Sequence, residues 1–210
     1  AQEGNALDFD VTLSGAAPAD TRIDFAFNDG SAKAGVDFQA SPQASYDGGK
    51  TWFDVGLNAT GLTVPAGTTG FKLRVPSIED TIHEGNETFT LVASANGSQA
   101  SGTGTICDND GPPTVASIGS ASATEGDALV FDVALSGAST SATSVTLSLT
   151  DGTARHADDY RQGYDVSFDG GHSFTTVTGS TVQVPAGATG FMVRVASIQD
   201  SLFESSETFT

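Results

Sequence analysis

Apolar residues recur at every second position along this chain, and no stretch of useful length sustains the 3.6-residue spacing of a helix. Leu7, Phe9, Val11 and Leu13 alternate with Asp8, Asp10, Thr12 and Ser14, the pattern of a strand with one buried and one wet face. Ile23, Phe25 and Phe27 predict a second strand, Phe71, Leu73 and Val75 a third, and Phe89, Leu91 and Ala93 a fourth. The alternation returns at Leu129, Phe131, Val133 and Leu135, at Val145, Leu147 and Leu149, and at Phe191, Val193 and Val195. Turn signals stand between these runs: Asp29-Gly30, Asp47-Gly48-Gly49 and Pro65-Ala66-Gly67, then Asp151-Gly152, Asp169-Gly170-Gly171 and Pro185-Ala186-Gly187. Short strands at regular spacing predict an all-β chain built as antiparallel sandwiches.

The pattern is written twice. Glu3–Ala16 returns at Glu125–Ala138 with 11 of 14 residues identical, and Val64–Thr90 returns at Val184–Thr210 with 17 of 27 identical. The offsets, 122 and 120 residues, are too long for a solenoid unit and suit one whole β-sandwich. Two domains follow, 1–111 and 112–210, each long enough for one core. Asp108-Asn109-Asp110-Gly111-Pro112-Pro113 joins them, and the two prolines stiffen the connection and cannot continue a ladder. The first repeat has no counterpart of Thr114–Thr124 and the second none of Leu91–Asp110, so the expectation is a chain cut out of phase with its repeats, with unpaired strand edges.

Charge narrows the partners. Asp and Glu number 26 against 8 Lys and Arg, a net charge of −18, which disfavours nucleic acid and anionic membranes and favours cations. No run approaches a membrane span, so no direct membrane insertion is expected. The single cysteine, Cys107, excludes an internal disulfide framework and any CxxC motif, and reads as a small buried hydrophobe.

The acids fall at strand ends and loops. In the first repeat they are Glu3, Asp37, Glu79, Asp80, Glu84, Glu87, Asp108 and Asp110, and strand parity places most of them at one end of the sandwich. A like-charged pair at about 4 Å costs about 1 kcal/mol in water and about 4 kcal/mol at an effective dielectric of about 20. Ca²⁺ relieves this, because it accepts about 6–8 oxygen ligands in adaptable geometry. Zinc is disfavoured without clustered Cys or His. Acids in the loops of an acidic protein are also found simply solvated. Against that reading, the second repeat keeps Glu125, Asp159, Asp200, Glu204 and Glu207 at matching positions while neighbouring surface residues drift.

The runs DGSAKAGVDF (Asp29–Phe38), VPAGTTGFKLRVPSIEDTIHEGNETFTL (Val64–Leu91) and GTICDND (Gly104–Asp110) together resemble the Calx-β domain. DGTARHADDY (Asp151–Tyr160) and SIQDSLFESSETF (Ser197–Phe209) extend the resemblance to the second repeat. It implies seven-stranded, immunoglobulin-like sandwiches of the kind found in sodium–calcium exchangers, cell-matrix receptors and large bacterial (RTX-type) surface adhesins. It also implies calcium held by the acids named above, as in the exchanger-type members. Gln199 departs from the pattern where the first repeat has Glu79, and the second repeat lacks a terminal DND, which makes its site weaker or incomplete.

A further departure is the long segment Ser41–Gly61. It holds SYDGGKTW (Ser45–Trp52), matched by SFDGGHSF (Ser167–Phe174), both of the Asp-box form seen in sialidases. The motif folds a tight hairpin, and Arg22, Arg74, Arg155, Arg161 and Arg194 are too scattered for a sialidase site. His83, His156 and His172 have no histidine counterparts in the other repeat, and no other catalytic constellation stands out, so no enzyme is expected. The expected role is a monomeric, calcium-binding extender or stalk in a secreted bacterial adhesin, extracellular at the cell surface. Its partners would be neighbouring repeats and a host-surface or matrix ligand, with calcium stiffening the joint between repeats. Two alternatives stand beside it: a calcium-sensing regulatory pair, and a glycan- or protein-binding module using Ser41–Gly61.

Overall fold

The computed structural model describes residues 1–57 and 59–210; Asn58, inside the Ser41–Gly61 segment, lies outside the described residues. These form two compact units, one of residues 1–80 and 85–109 and the other of residues 81–84 and 110–210. The chain is all-β, a tandem of immunoglobulin-like antiparallel sandwiches, with no helix among the described residues.

The first unit contains β1 (Ala6–Thr12), β2 (Thr21–Asp29), β3 (Gln43–Ser45), β4 (Phe53–Asp54), β5 (Gly61–Val64) and β6 (Gly70–Pro76). β7 (Ile82–His83) belongs to the other unit, and β8 (Glu87–Ala95) and β9 (Ser98–Ile106) complete the first. One sheet runs β1-β6-β3-β4 and the other β5-β2-β8-β9. Register follows the alternation. Leu7, Phe9 and Val11 lie opposite Val75, Leu73 and Phe71, so both strands turn their apolar residues to one face. On the second sheet Phe25 and Phe27 face Ala93 and Leu91. The core joins the sheets, with Phe71, Leu73 and Ala44 from one packed against Ile23, Phe25, Leu62 and Val64 from the other. A second cluster, Leu7, Phe38, Val75, Phe89 and Ile106, contains the stacked rings of Phe38 and Phe89, 4.1 Å apart.

The second unit adds β10 (Val115–Ile118), β11 (Ala128–Leu135), β12 (Ala138–Ser139), β13 (Thr143–Thr146), β14 (Asp165–Ser167), β15 (Thr175–Thr176), β16 (Thr181–Val184) and β17 (Gly190–Ala196). Its main sheet runs β10-β11-β17-β14-β15, β13 pairs with β16, and β7 runs parallel to β12. Leu129, Phe131 and Val133 face Val195, Val193 and Phe191, the register of the first unit. One expectation differs. Leu147 and Leu149 alternate like strand residues, yet β13 ends at Thr146. Their counterparts Phe25 and Phe27 are held by β8, whereas Leu147 keeps one backbone bond, its N–H donating to the Ser180 carbonyl at 2.8 Å, and bridging resumes at Thr150 with Thr210 and Asp151 with Phe209. Alternation supplies a face to bury; a strand also needs a partner for its backbone groups.

Candidate metal centre

In the first unit Glu3 sits in a tight turn beside the bridge between Gln2 and Cys107, its N–H donating to the Cys107 carbonyl at 3.0 Å. The side chain is 5% exposed, unusual for a glutamate. Gly4 follows with φ of 73°, in the left-handed region, and any Cβ placed there would collide with Oε2 of Glu79. The glycine therefore lets the loop after β6 close over the turn. Asp80, on that loop, brings a carboxylate oxygen within 4.8 Å of one from Glu3. Glu79 turns instead to Asn109, whose Nδ2 donates to both of its oxygens at 3.2 Å and to the Glu3 carbonyl at 3.3 Å.

Asp37 is placed by its own loop. Its Oδ2 accepts the Lys33 N–H at 2.6 Å, its N–H donates to the Lys33 carbonyl at 2.9 Å, and its carbonyl accepts Ile78 N–H at 2.9 Å. These bonds bury the carboxylate to 7% exposure and bring it within 4.8 Å of Glu87, the first residue of β8. Glu84 and Asp110 fall in the second compact unit, where the Asp110 carbonyl meets His83 Nδ1 at 2.8 Å. Asp108 and Glu79 belong to no gathering of three or more candidate ligands among the described residues.

The second unit is fuller. Glu125, Asp200 and Glu204 converge, and so do Asp159, Glu204 and Glu207, each set with oxygens within 4.8 Å of one another. Glu204 stands in both. Asp159 repeats the Asp37 loop, with its Oδ2 accepting Arg155 N–H at 2.6 Å. Glu125 accepts the Asp200 N–H at 2.8 Å. Gln199 occupies the Glu79 position, and its Nε2 donates to Glu125 Oε2 at 3.3 Å. That amide proton takes up lone-pair capacity that the first unit's Glu79 leaves alone, an effect that only side-chain geometry reveals. Desolvation, with the charges of Asp159, Asp200 and Glu125, raises the Glu204 carboxyl above its ordinary value. Glu207 is raised too, by desolvation and by the charge and hydrogen bond of Asp159. Two oxygens bound to one calcium at about 2.3–2.6 Å lie no more than about 5 Å apart, so both sets have the reach for a hard cation. None contains Cys or His.

Asn109 was missed by a reading confined to acids, although it lies within the DND run. The Asp-box residues sit elsewhere. Asp47 accepts hydrogen bonds from the Thr51 hydroxyl (2.6 Å), Thr51 N–H (2.9 Å), Lys50 N–H (3.0 Å) and the Ser45 hydroxyl (2.8 Å), so its carboxylate is spent on the turn.

The family model of the Calx-beta domain matches residues 2–110 and again 119–210. Among solved structures, CBD12 from CALX1.2 is similar at 15% identity and a TM-score of 0.37, over 94% of this chain and 72% of that one. The calcium binding domain CBD12 of CALX1.1 gives 15% and 0.37, over 93% and 70%. Escherichia coli alpha-2-macroglobulin activated by porcine elastase gives 11% and 0.30, over 95% of this chain and 18% of that one. These scores are too low to place any residue by superposition. None of the curated proteins matches the chain. The two family matches take in nearly every residue and follow one another along the chain, which therefore belongs to the Calx-beta domain family as a tandem pair.

Proposed function

We propose that the chain is a calcium-binding tandem module, serving as an extender in a secreted bacterial surface protein. The observation that carries the reading is the convergence of Glu125, Asp159, Asp200, Glu204 and Glu207 in two overlapping sets of hard oxygen ligands. Bringing these carboxylates together without a cation is unfavourable, and the Glu204 and Glu207 carboxyls are raised first by desolvation and then by the neighbouring acids. A divalent ion reverses the sign of that interaction, and its binding energy then appears as stability of the unit. In the first unit Glu3 with Asp80, and Asp37 with Glu87, provide the equivalent start of two sites.

The family membership, the net charge of −18 and the repetition of the acids support calcium as the ion. Repetition of a whole sandwich supports an extender, because arrays of similar beads span distance. Calcium-dependent stiffening of the connection Asp108–Pro113 belongs to the same reading. The working place is outside the cell, at a bacterial surface, with neighbouring repeats as the partners and a host-surface or matrix ligand met elsewhere on the array.

The test is thermal unfolding across a calcium titration, with magnesium as control. At about 100 times the dissociation constant, calcium adds about 2.7 kcal/mol, an upward shift on the order of 10 °C for a domain of this size. Saturation near millimolar calcium fits an extender in an extracellular medium, and saturation near micromolar fits a sensor. A melt that calcium leaves unmoved would remove the calcium reading altogether.

A further inference from the structure

Beside the first Asp-box hairpin, on the outer face of the β1-β6-β3 sheet, lies an open cleft of about 330 Å³ lined by Asp10, Thr12, Tyr46, Thr69 and Lys72 among others. Its wall is the Tyr46 ring, 42% exposed, with the equally exposed Phe53 ring 5.2 Å away. Lys72 and Asp10 form an ion pair at 2.6 Å, presenting an ammonium donor and a carboxylate acceptor side by side. Gly49, with φ of 93°, sits against Trp52 and the Lys72 stem; a Cβ there would crowd Trp52 at 3.3 Å and touch Lys72 at 3.5 Å.

The second repeat builds the same scaffold with different lining. Where the first has Thr12, Tyr46 and Lys72, the second has Ala134, Phe168 and Met192. The replacements remove the Thr12 hydroxyl with its methyl, the Tyr46 hydroxyl that donates to the Thr63 carbonyl at 3.3 Å, and the Lys72 ammonium, and Thr175 takes the place of Phe53. The hairpin itself is kept: Asp169 accepts bonds from Ser167, Ser173 and the Ser173 N–H as Asp47 does from its own loop. The polar groups of the first cleft are therefore unnecessary for folding the hairpin.

We propose that the first-unit cleft is a saccharide site and that the second-unit counterpart is not. A pyranose ring has an apolar C–H face that stacks on an exposed aromatic ring. Its adjacent hydroxyls match a donor and an acceptor held close together, which Lys72 and Asp10 provide. The combination of an aromatic wall with a few convergent polar groups is the usual make-up of a small-ligand site. The Asp-box carboxylate takes no part, being occupied by the turn. This site is separate from the acidic clusters and stands whether or not those bind calcium.

The experiment adds free glucose, galactose, N-acetylglucosamine and N-acetylneuraminic acid, each at millimolar concentration, to the full isotope-labelled chain. Saturation transfer to the sugar and amide shifts of the protein are recorded. At least one sugar should receive saturation and shift the amides around Thr12, Tyr46 and Lys72, while those of Ala134, Phe168 and Met192 stay still. The variant T12A/Y46F/K72M, which installs the second repeat's own residues, should lose at least about tenfold in affinity. An unchanged thermal melt and unchanged amide signals away from the cleft would separate this loss from misfolding. The proposal fails if none of the sugars shifts those amides, or if the triple variant binds as tightly as the parent.

Discussion

Arg74 and Arg194 hold the same position in β6 and β17, yet each finds its carboxylate on a different neighbouring strand. Arg74 makes a two-pronged bond to Asp8 of β1, at 2.7 and 2.9 Å, with Gln43 of β3 on its other side. Arg194 faces Val130 of β11 and bonds instead to Asp165 of β14, at 2.7 Å. Each guanidinium also lies over an aromatic ring of its hairpin, 3.9 Å from Trp52 and 4.2 Å from Phe174. In each unit the guanidinium beside the aspartate holds its carboxyl below the ordinary value. The pairs are partly exposed, so Asp8→Val should cost the first unit only about 0.5–1 kcal/mol. Adding Gln43→Asp alone would set that carboxylate against Asp54, which now accepts from Gln43 at 2.9 Å. Adding Asp54→Thr as well reproduces the Thr176 hydroxyl that bonds Asp165, and the triple variant should recover the loss in a urea titration. No recovery would show that Arg74 is held by Trp52 and not by its charge partner.

The hairpins make the same point at the scale of elements. Hydroxyl and N–H donors from Thr51, Ser45 and Lys50 stabilise the charged form of Asp47, and Ser173 and Ser167 do so for Asp169, lowering both carboxyls well below their usual range. A carboxyl lowered by folding contributes stability above its unfolded pKa of about 3.9, and that contribution is lost as pH falls through the lower folded value. Fluorescence of Trp52, the single tryptophan, should therefore report loosening of the first hairpin as pH drops below about 4. Asp47→Asn should loosen it at neutral pH and flatten that response. The long strands β1, β2, β6, β8, β11 and β17 were legible from alternation because each has both a face to bury and a partner. Leu147 and Leu149 have the face but little ladder, one bond from Leu147 N–H to the Ser180 carbonyl, and the two-residue pairing of β7 with β12 leaves no periodic trace at all.

Across the whole chain, the repeated acids were legible because repetition marks them against a drifting surface, and within the two units the structure brings nine of the thirteen candidates close to another candidate. What the sequence could not convey was their division of labour. Glu79 turns to Asn109 while its neighbour Asp80 meets Glu3, and Gln199, at the Glu79 position, donates to Glu125. These choices depend on side-chain direction, which Gly4 and the Asp37 and Asp159 loops set from a distance in sequence. On the calcium reading, Glu3→Gln should lower the calcium-induced stabilisation of the first unit and leave that of the second unchanged, as read from separate amide signals. Glu204 has a different consequence. On the calcium reading, because it stands in both carboxylate sets of the second unit, an ion in one set would fix a ligand of the other, and two binding events would be cooperative. The second unit would then fill over a narrow span of calcium concentration, and Glu204→Gln would turn a steep titration into a shallow one.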